Sequence, residues 1–404
     1  MSITTSRTNQ VFENRQYQTK KLFIVPGYCD VLGGTTISLL MLAKGFALCG
    51  LLEQLCVVIH KDSFMEKYFI DAGLGNCIKL IEATNTNAFL KRALQWVGKQ
   101  PHEFPLLLDN CVWRNSLLTL TLASPSLRLS HRKLYHFCHD LALSYNQMGY
   151  LARKITFASL SPSAICNSQF TAEHIRGLMP DIRGILYQPV DLKQFNTQSA
   201  NSTPPDNLKS IINSGVRIML TPSRINKPKI VNDKNLRALI PVLAHLKAMG
   251  ENYHAVIIGE DKSDEQIYSQ DLLETAANAG VADRFTILPP ALNIEDYYRY
   301  ADIVVTLAPR EPFGRTVVEA IACGIPVVGS NTGGINEILQ NFAPEWTVDP
   351  DDSFSVAKTI VNVTKSNTKE LLSKGNNWVS TNCSLENYAQ GMMKFTGLNS
   401  PVSV

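Results

Sequence analysis

The sequence predicts two successive α/β units, each built on a parallel β-sheet. Short apolar runs of strand length alternate with longer helix-period stretches, the pattern of parallel strands joined by crossover helices. A tract rich in Asn, Gln, Ser, Thr and Pro, DLKQFNTQSANSTPPDNLKS over 191–210, interrupts that alternation at mid-chain and reads as a linker. A length of 404 residues suffices for two cores, since domains hold roughly 100–200 residues.

Taken in order, residues 1–20 are polar, lack the apolar run of a signal peptide and read as a flexible tail. The first unit, 21–190, carries candidate strands at 21–28, 55–60, 77–82, 105–109, 133–138, 164–167 and 184–188. The most apolar stretch, 38–59, is broken by Lys44, Glu53 and Gln54; it reads as a helix followed by a strand, with peripheral membrane contact left open. The second unit, 211–384, has candidate strands at 217–223, 254–260, 284–290, 303–308 and 326–330.

Hydrophobic residues at 45%, charged residues at 18% and a formal charge of +3 suit a soluble globular enzyme and exclude a disordered or fibrous chain. The small basic excess gives no sign of a nucleic-acid partner. Nine scattered cysteines without a Cys-x-x-Cys pair suggest a reduced, cytoplasmic protein, so the Asn-x-Ser/Thr matches at Asn201, Asn362 and Asn382 are read as chance.

The most informative stretch is 302–339, DIVVTLAPREPFGRTVVEAIACGIPVVGSNTGGINEIL. It holds a strand, a turn with Pro312 and Gly314, a helix from about Arg315, a second strand, and a Gly-Gly turn opening another helix. In open parallel sheets, anionic ligands bind where strand ends meet helix starts, because free N–H groups and the helix dipole converge there. Gly314–Val317 and Gly333–Ile335 are two such starts, and the carboxylates of Glu311 and Glu319 suit sugar or ribose hydroxyls. Two glutamates eight apart, taken alone, also fit a solvated helix face. Arg224 ends the strand VRIMLTPSR, and Lys229 and Lys234 follow it; these cations could neutralise a diphosphate, or be ordinary surface charges.

Glu311-Pro-Phe-Gly-Arg-Thr-Val-Val-Glu319 resembles the E-x7-E signature of retaining glycosyltransferase family 4. The resemblance implies a GT-B fold, two facing Rossmann-like domains with the active site in the cleft between them. It implies that Glu311 binds hydroxyls of the transferred sugar and that Glu319 holds the ribose. Backbone amides of Phe313, Gly314, Thr316 and Val317 would approach sugar and phosphate, with Arg315, Gly333 and Gly334 in the same donor site. Arg224 and either Lys234 or its rival Lys229 would hold the leaving diphosphate.

In the first unit, Gly33-Gly34 matches the family's glycine pair after the first strand. His139, at the end of the strand in LYHFCHDLALS, matches a histidine near the sugar's primary hydroxyl. Asp140 beside it and Ser168 in CNSQFTAEHIRGL are acceptor-side candidates, and His136 is read as packed within the strand. The segment SLENYAQGMMKF, near 385–397, resembles the helix that returns to the first domain.

The activity implied is transfer of a hexose, glucose from UDP-glucose as first guess, to a glycan or lipid-linked acceptor in polysaccharide or glycoconjugate biosynthesis. No metal or other cofactor is expected; Asp349-Pro-Asp351 lies where Asp or Ser would cap a helix. A nucleotide-sugar epimerase of GT-B fold and a non-catalytic nucleotide-sugar-binding subunit stand as alternatives.

Overall fold

The computed structural model describes residues 20–30, 33–197, 203–227, 233–291 and 293–398. The first domain runs β1 (Leu22–Pro26), α1 (Gly34–Leu48), β2 (Leu55–His60), α2 (Phe64–Asp71), β3 (Ile78–Ile81), α3 (Thr86–Gly98), β4 (Leu106–Asp109), α4 (Arg114–Leu129), β5 (Leu134–Cys138), α5 (Gln147–Leu160), β6 (Ser163–Cys166), α6 (Gln169–Ile175) and β7 (Ile182–Ile185). The second runs α7 (Lys209–Asn213), β8 (Arg217–Pro222), α8 (Leu239–Ala248), β9 (Tyr253–Ile258), α9 (Ile267–Asn278), β10 (Phe285–Leu288), α10 (Ile294–Arg299), β11 (Ile303–Thr306), α11 (Arg315–Ala322), β12 (Val327–Ser330), α12 (Gly333–Leu339), β13 (Thr347–Val348), α13 (Ser353–Lys365) and α14 (Lys369–Asn382). A last helix, α15 (Leu385–Thr396), follows.

Both sheets are parallel, in the orders β3-β2-β1-β4-β5-β6-β7 and β10-β9-β8-β11-β12-β13. Central strands are buried because helices cover both faces: every residue of β1 and β4 is buried, with Asp109 at the carboxyl end of β4 the one charged residue among them. Strand order reverses between β1 and β4 and again between β8 and β11, so each sheet has one crevice at its carboxyl edge.

Two separate cores result, one around β1, β2, β4 and β5, the other around β8, β9, β11 and β12. Tyr388, Ala389, Met392 and Met393 of α15 belong to the first core, so this helix returns to the first domain. The stretch 38–59 folds as α1 and β2, with Leu39, Leu42, Phe46, Val57 and Ile59 in the first core. Among the described residues, no helix is long and apolar enough to cross a membrane.

Several boundaries differ from expectation for local reasons. The seventh strand starts at Ile182, because Ala164 N–H already pairs with Asp181 C=O and the register shifts between Ala164 and Ile165. Gln188 thereby leaves the sheet. Within the tract 191–210, Phe195 and Leu208 belong to the second core, and a short helical turn begins at Asp206. The two residues of β13 are too few to announce a strand. In the Asp349–Asp352 run, Asp352 is the cap of α13, accepting from Ser355 N–H at 3.0 Å.

Candidate active site between the domains

The crevice of the second sheet lies between the ends of β8 and β11, and one side chain from each side meets across it. Lys234, after β8, donates from Nζ to Glu311 Oε2, after β11. Both side chains keep about a quarter of their surface open, 26% and 21%, so the pair is neither sealed in the core nor freely solvated. Arg224, two residues past β8, is exposed. Lys229 lies outside the described residues.

Glycine spacing explains how the 311–314 turn is held. Gly333 adopts φ +73° and Gly334 lies flat against the turn; a Cβ on Gly334 would come within 2.5 Å of Phe313 Cα. Gly334 N–H donates to Glu311 C=O at 2.8 Å, and Val317 N–H donates to Gly314 C=O at 3.0 Å. Those two amides serve the protein and are not free for phosphate, contrary to expectation. The glycine pair is a packing device that lets two loops touch. Gly314, with Thr316 close behind, caps α11, and Phe313 is buried with its ring stacked on Tyr187 at 5.8 Å.

Glu319 lies one turn into α11 and is 8% exposed. Its Oε1 accepts from Arg315 Nε and its Oε2 from Tyr298 Oη, both at 3.0 Å. Each carboxylate oxygen keeps a second lone pair, so a ribose hydroxyl would add to these bonds rather than find an empty carboxylate. Burial, with Glu319 next, raises the Tyr298 phenol well above its ordinary range, keeping it a donor. Arg315 reaches out of its own domain to α1, with Nη1 3.3 Å from Ser38 Oγ and Nη2 3.7 Å from Met41 Sδ. Gly33 caps α1, and a Cβ on Gly34 would sit 3.7 Å from Arg315 Cδ. Arg315 is therefore a strut between domains, not a donor ligand in this arrangement.

On the first domain's side, His139 is buried with both ring nitrogens engaged. Nε2 lies 2.8 Å from Asp109 Oδ1, and the Gln188 amide donates to Nδ1 at 2.7 Å, which puts the ring proton on Nε2, facing Asp109. A free donor toward a sugar hydroxyl is thus absent from this ring as it stands. His136 is packed within β5, accepting from Cys111 N–H at 3.1 Å; burial, then His139, lowers it to about 3. Burial raises the Asp140 carboxyl; the Leu141 and Ala142 N–H groups and Arg153 oppose this, while Glu311 across the cleft adds to it. Asp140 and Glu311 therefore sense one another over the gap.

Ser168 is fully buried and does not line the cleft. It caps α6, accepting from Thr171 N–H at 2.9 Å, and bonds Pro312 C=O of the other domain at 2.5 Å. Beside it, Glu337 of α12 accepts from Gln169 N–H at 2.8 Å, Phe170 N–H at 3.0 Å and Tyr187 Oη at 3.0 Å. A carboxylate of the second domain thus satisfies the helix start of the first. Sequence reading passed over Glu337, Asp109, Gln188 and Tyr298. Glu337 alone had a local signal, standing three residues past the glycine pair.

The site thus joins an ion pair at a sheet switch point, a buried carboxylate and a helix start, at the junction of two α/β domains. Residues 211–377 match the family model of glycosyl transferases group 1. The matched stretch contains Lys234, Glu311, Glu319 and Glu337. Over 210 residues the chain is 31% identical to a D-inositol 3-phosphate glycosyltransferase of Mycolicibacterium vanbaalenii, covering 49% of this chain and 45% of that protein. It is 33% identical over 94 residues to the lipopolysaccharide core biosynthesis mannosyltransferase LpsB of Rhizobium meliloti, covering 23% and 27%. The chain spans between about a quarter and a half of the length of these curated relatives. The structure of Anabaena HepE in complex with UDP and glucose superposes with a TM-score of 0.72 at 18% identity, covering 94% of this chain and 99% of that one. The architecture is the GT-B fold, two parallel-sheet α/β domains facing one another.

Proposed function

We propose that the chain is a retaining glycosyltransferase of the family 4 type, moving a hexose from a nucleotide-diphosphate donor, UDP-glucose in the first instance, to a glycan or lipid-linked acceptor. The observation that carries the proposal is the Lys234–Glu311 pair straddling the β8/β11 switch point, with α11 and Glu319 beside it. The match of residues 211–377 and the glycosyltransferase names of the relatives support it. The bound UDP and glucose in HepE favour UDP-glucose among donors.

In the reaction, the bond between sugar C1 and the β-phosphate oxygen breaks and its electron pair leaves with the diphosphate. Lys234 and exposed Arg224 neutralise that charge, and the start of α11 adds its dipole. Glu311 keeps Oε1 for a sugar hydroxyl while Lys234 holds Oε2. Glu319 receives the ribose on its remaining lone pairs. The acceptor hydroxyl bonds to C1 on the face the phosphate leaves, and its proton passes to the departing phosphate oxygen. No metal has a part in these steps. Asp140, held near Glu311, orients the acceptor side.

A thermal-shift screen of UDP, GDP and ADP tests the donor, because a ligand of the folded state raises the melting temperature by mass action. UDP is expected to give the largest rise. Absence of a shift with every nucleotide at millimolar concentration, together with no donor turnover, would overturn the proposal.

A further inference from the structure

Exposed large apolar side chains are normal singly, but contiguous patches of them mark interaction sites. Here they concentrate on α4 and α5. Leu118, Leu122 and Leu129 of α4 and Met148, Leu151 and Ile155 of α5 are all at least half exposed, Leu122 at 73% and Met148 at 76%. At 100° per residue, each set falls within a stripe of about 60° on its helix.

The two stripes form one face. Both helices follow right-handed crossovers in the same direction along the sheet, so they share a layer, and Thr121 Oγ1 and Thr156 Oγ1 join them at 2.9 Å. Their buried rows, Leu117, Leu120 and Leu127 against Phe157 and Leu160, turn to the sheet, which leaves both apolar stripes pointing outward. The neighbouring α3, in the same layer, instead presents Lys91, Arg92 and Gln95 to solvent.

Charge decides what this face fits. Exposed Arg114, Arg128 and Lys154 flank the apolar stripes, and neither helix carries a carboxylate. Between Trp113 and Ser161 the single acid is Asp140, which is turned into the cleft. We propose that the α4–α5 face rests on an anionic membrane surface, its leucines and Met148 entering the headgroup boundary and its three cations meeting acidic headgroups. A two-fold contact with a second copy would set the same cations against one another. Exposed Trp113 and Tyr145, both near the cleft end of the helices, have the amphipathic rings that settle at headgroup level. The proposal stands independently of the reaction assigned above.

Co-sedimentation of the full chain with vesicles tests it, comparing phosphatidylcholine alone with phosphatidylcholine containing phosphatidylglycerol over a range of salt. Binding is expected to the anionic vesicles and to weaken as salt rises. The double substitution L122E/M148E is expected to lower the partition coefficient on the order of a hundredfold with an unchanged melting temperature. The triple substitution R114Q/R128Q/K154Q, which keeps the apolar stripe, is expected to lower it by a similar factor and to abolish the salt dependence. Equal binding to both vesicle types, or full binding by both variants, would overturn the proposal. So would a wild-type dimer in sedimentation equilibrium that L122E/M148E converts to monomer, since the face would then be a contact between copies.

Discussion

Glu337 offers the sharpest perturbation, because its carboxylate gathers three hydrogen bonds where α12 meets α6. It accepts two backbone N–H bonds from the start of α6 and one from Tyr187 Oη. Bonds to a charged acceptor contribute roughly 1.5–3 kcal/mol each, and partial exposure of Glu337 argues for the low end, so the set amounts to about 4.5 kcal/mol. Glu337→Ala removes all three and leaves two helix-start donors facing a gap. Glu337→Gln retains one acceptor oxygen and turns an amide N–H toward a backbone N–H, a loss of about 2 kcal/mol. At about 1.4 kcal/mol per tenfold, the separated arrangement of the domains gains more than about tenfold in E337Q and roughly a thousandfold or more in E337A. Calorimetry reads this as one transition resolving into two, and steady-state kinetics as a fall in kcat with donor affinity kept, since Lys234 and Glu319 remain paired. A single transition at the wild-type temperature in E337A, with unchanged kcat, would refute the reasoning.

The donor site yields its own expectations. Glu311→Ala should depress transfer with little change in nucleotide affinity, measured by titration of UDP against turnover; equal loss of both would remove Glu311 from the sugar's side. Glu319→Ala should weaken nucleotide affinity by about tenfold or more, and it should also lower the melting temperature, because Tyr298 and Arg315 each lose a partner. Gly334→Ala should cost about 1–3 kcal/mol of stability in denaturant unfolding, since its Cβ meets backbone of the 312–313 turn at 2.5–2.6 Å. His136 sets an acid limit: its value drops from 6.5 to about 3, so its stabilisation is complete above about pH 6.5 and is lost as pH falls toward 3. That loss runs at about 1.4 kcal/mol per pH unit, and urea unfolding of H136Q against wild type between pH 7 and 4.5 should show the slope removed.

What was legible in the sequence was what is local. The apolar run 55–60 is β2 to the residue, and 302–339 announced strand, turn, helix and strand because their signals are contiguous. What was illegible depends on partners far along the chain. Arg315 meets Ser38 across 277 residues, Ser168 meets Pro312 across 144, and His139 meets Gln188 across 49. No spacing rule encodes such pairs, so Ser168 and Arg315 read as site residues when their bonds make them joints. Glu319 shows the same limit: its helix position was readable, but the two donors that already occupy it were not.

The return of α15 bears on how the polypeptide matures. Gly45 of α1 brings that helix so close to α15 that an added Cβ would stand 2.2 Å from the Leu385 carbonyl oxygen. Tyr388, Met392 and Met393 then complete a hydrophobic interior begun more than three hundred residues earlier. On the ribosome, the first domain must therefore wait until α15 has been made before that surface is sealed. Removal of α15 would strike the domain made first.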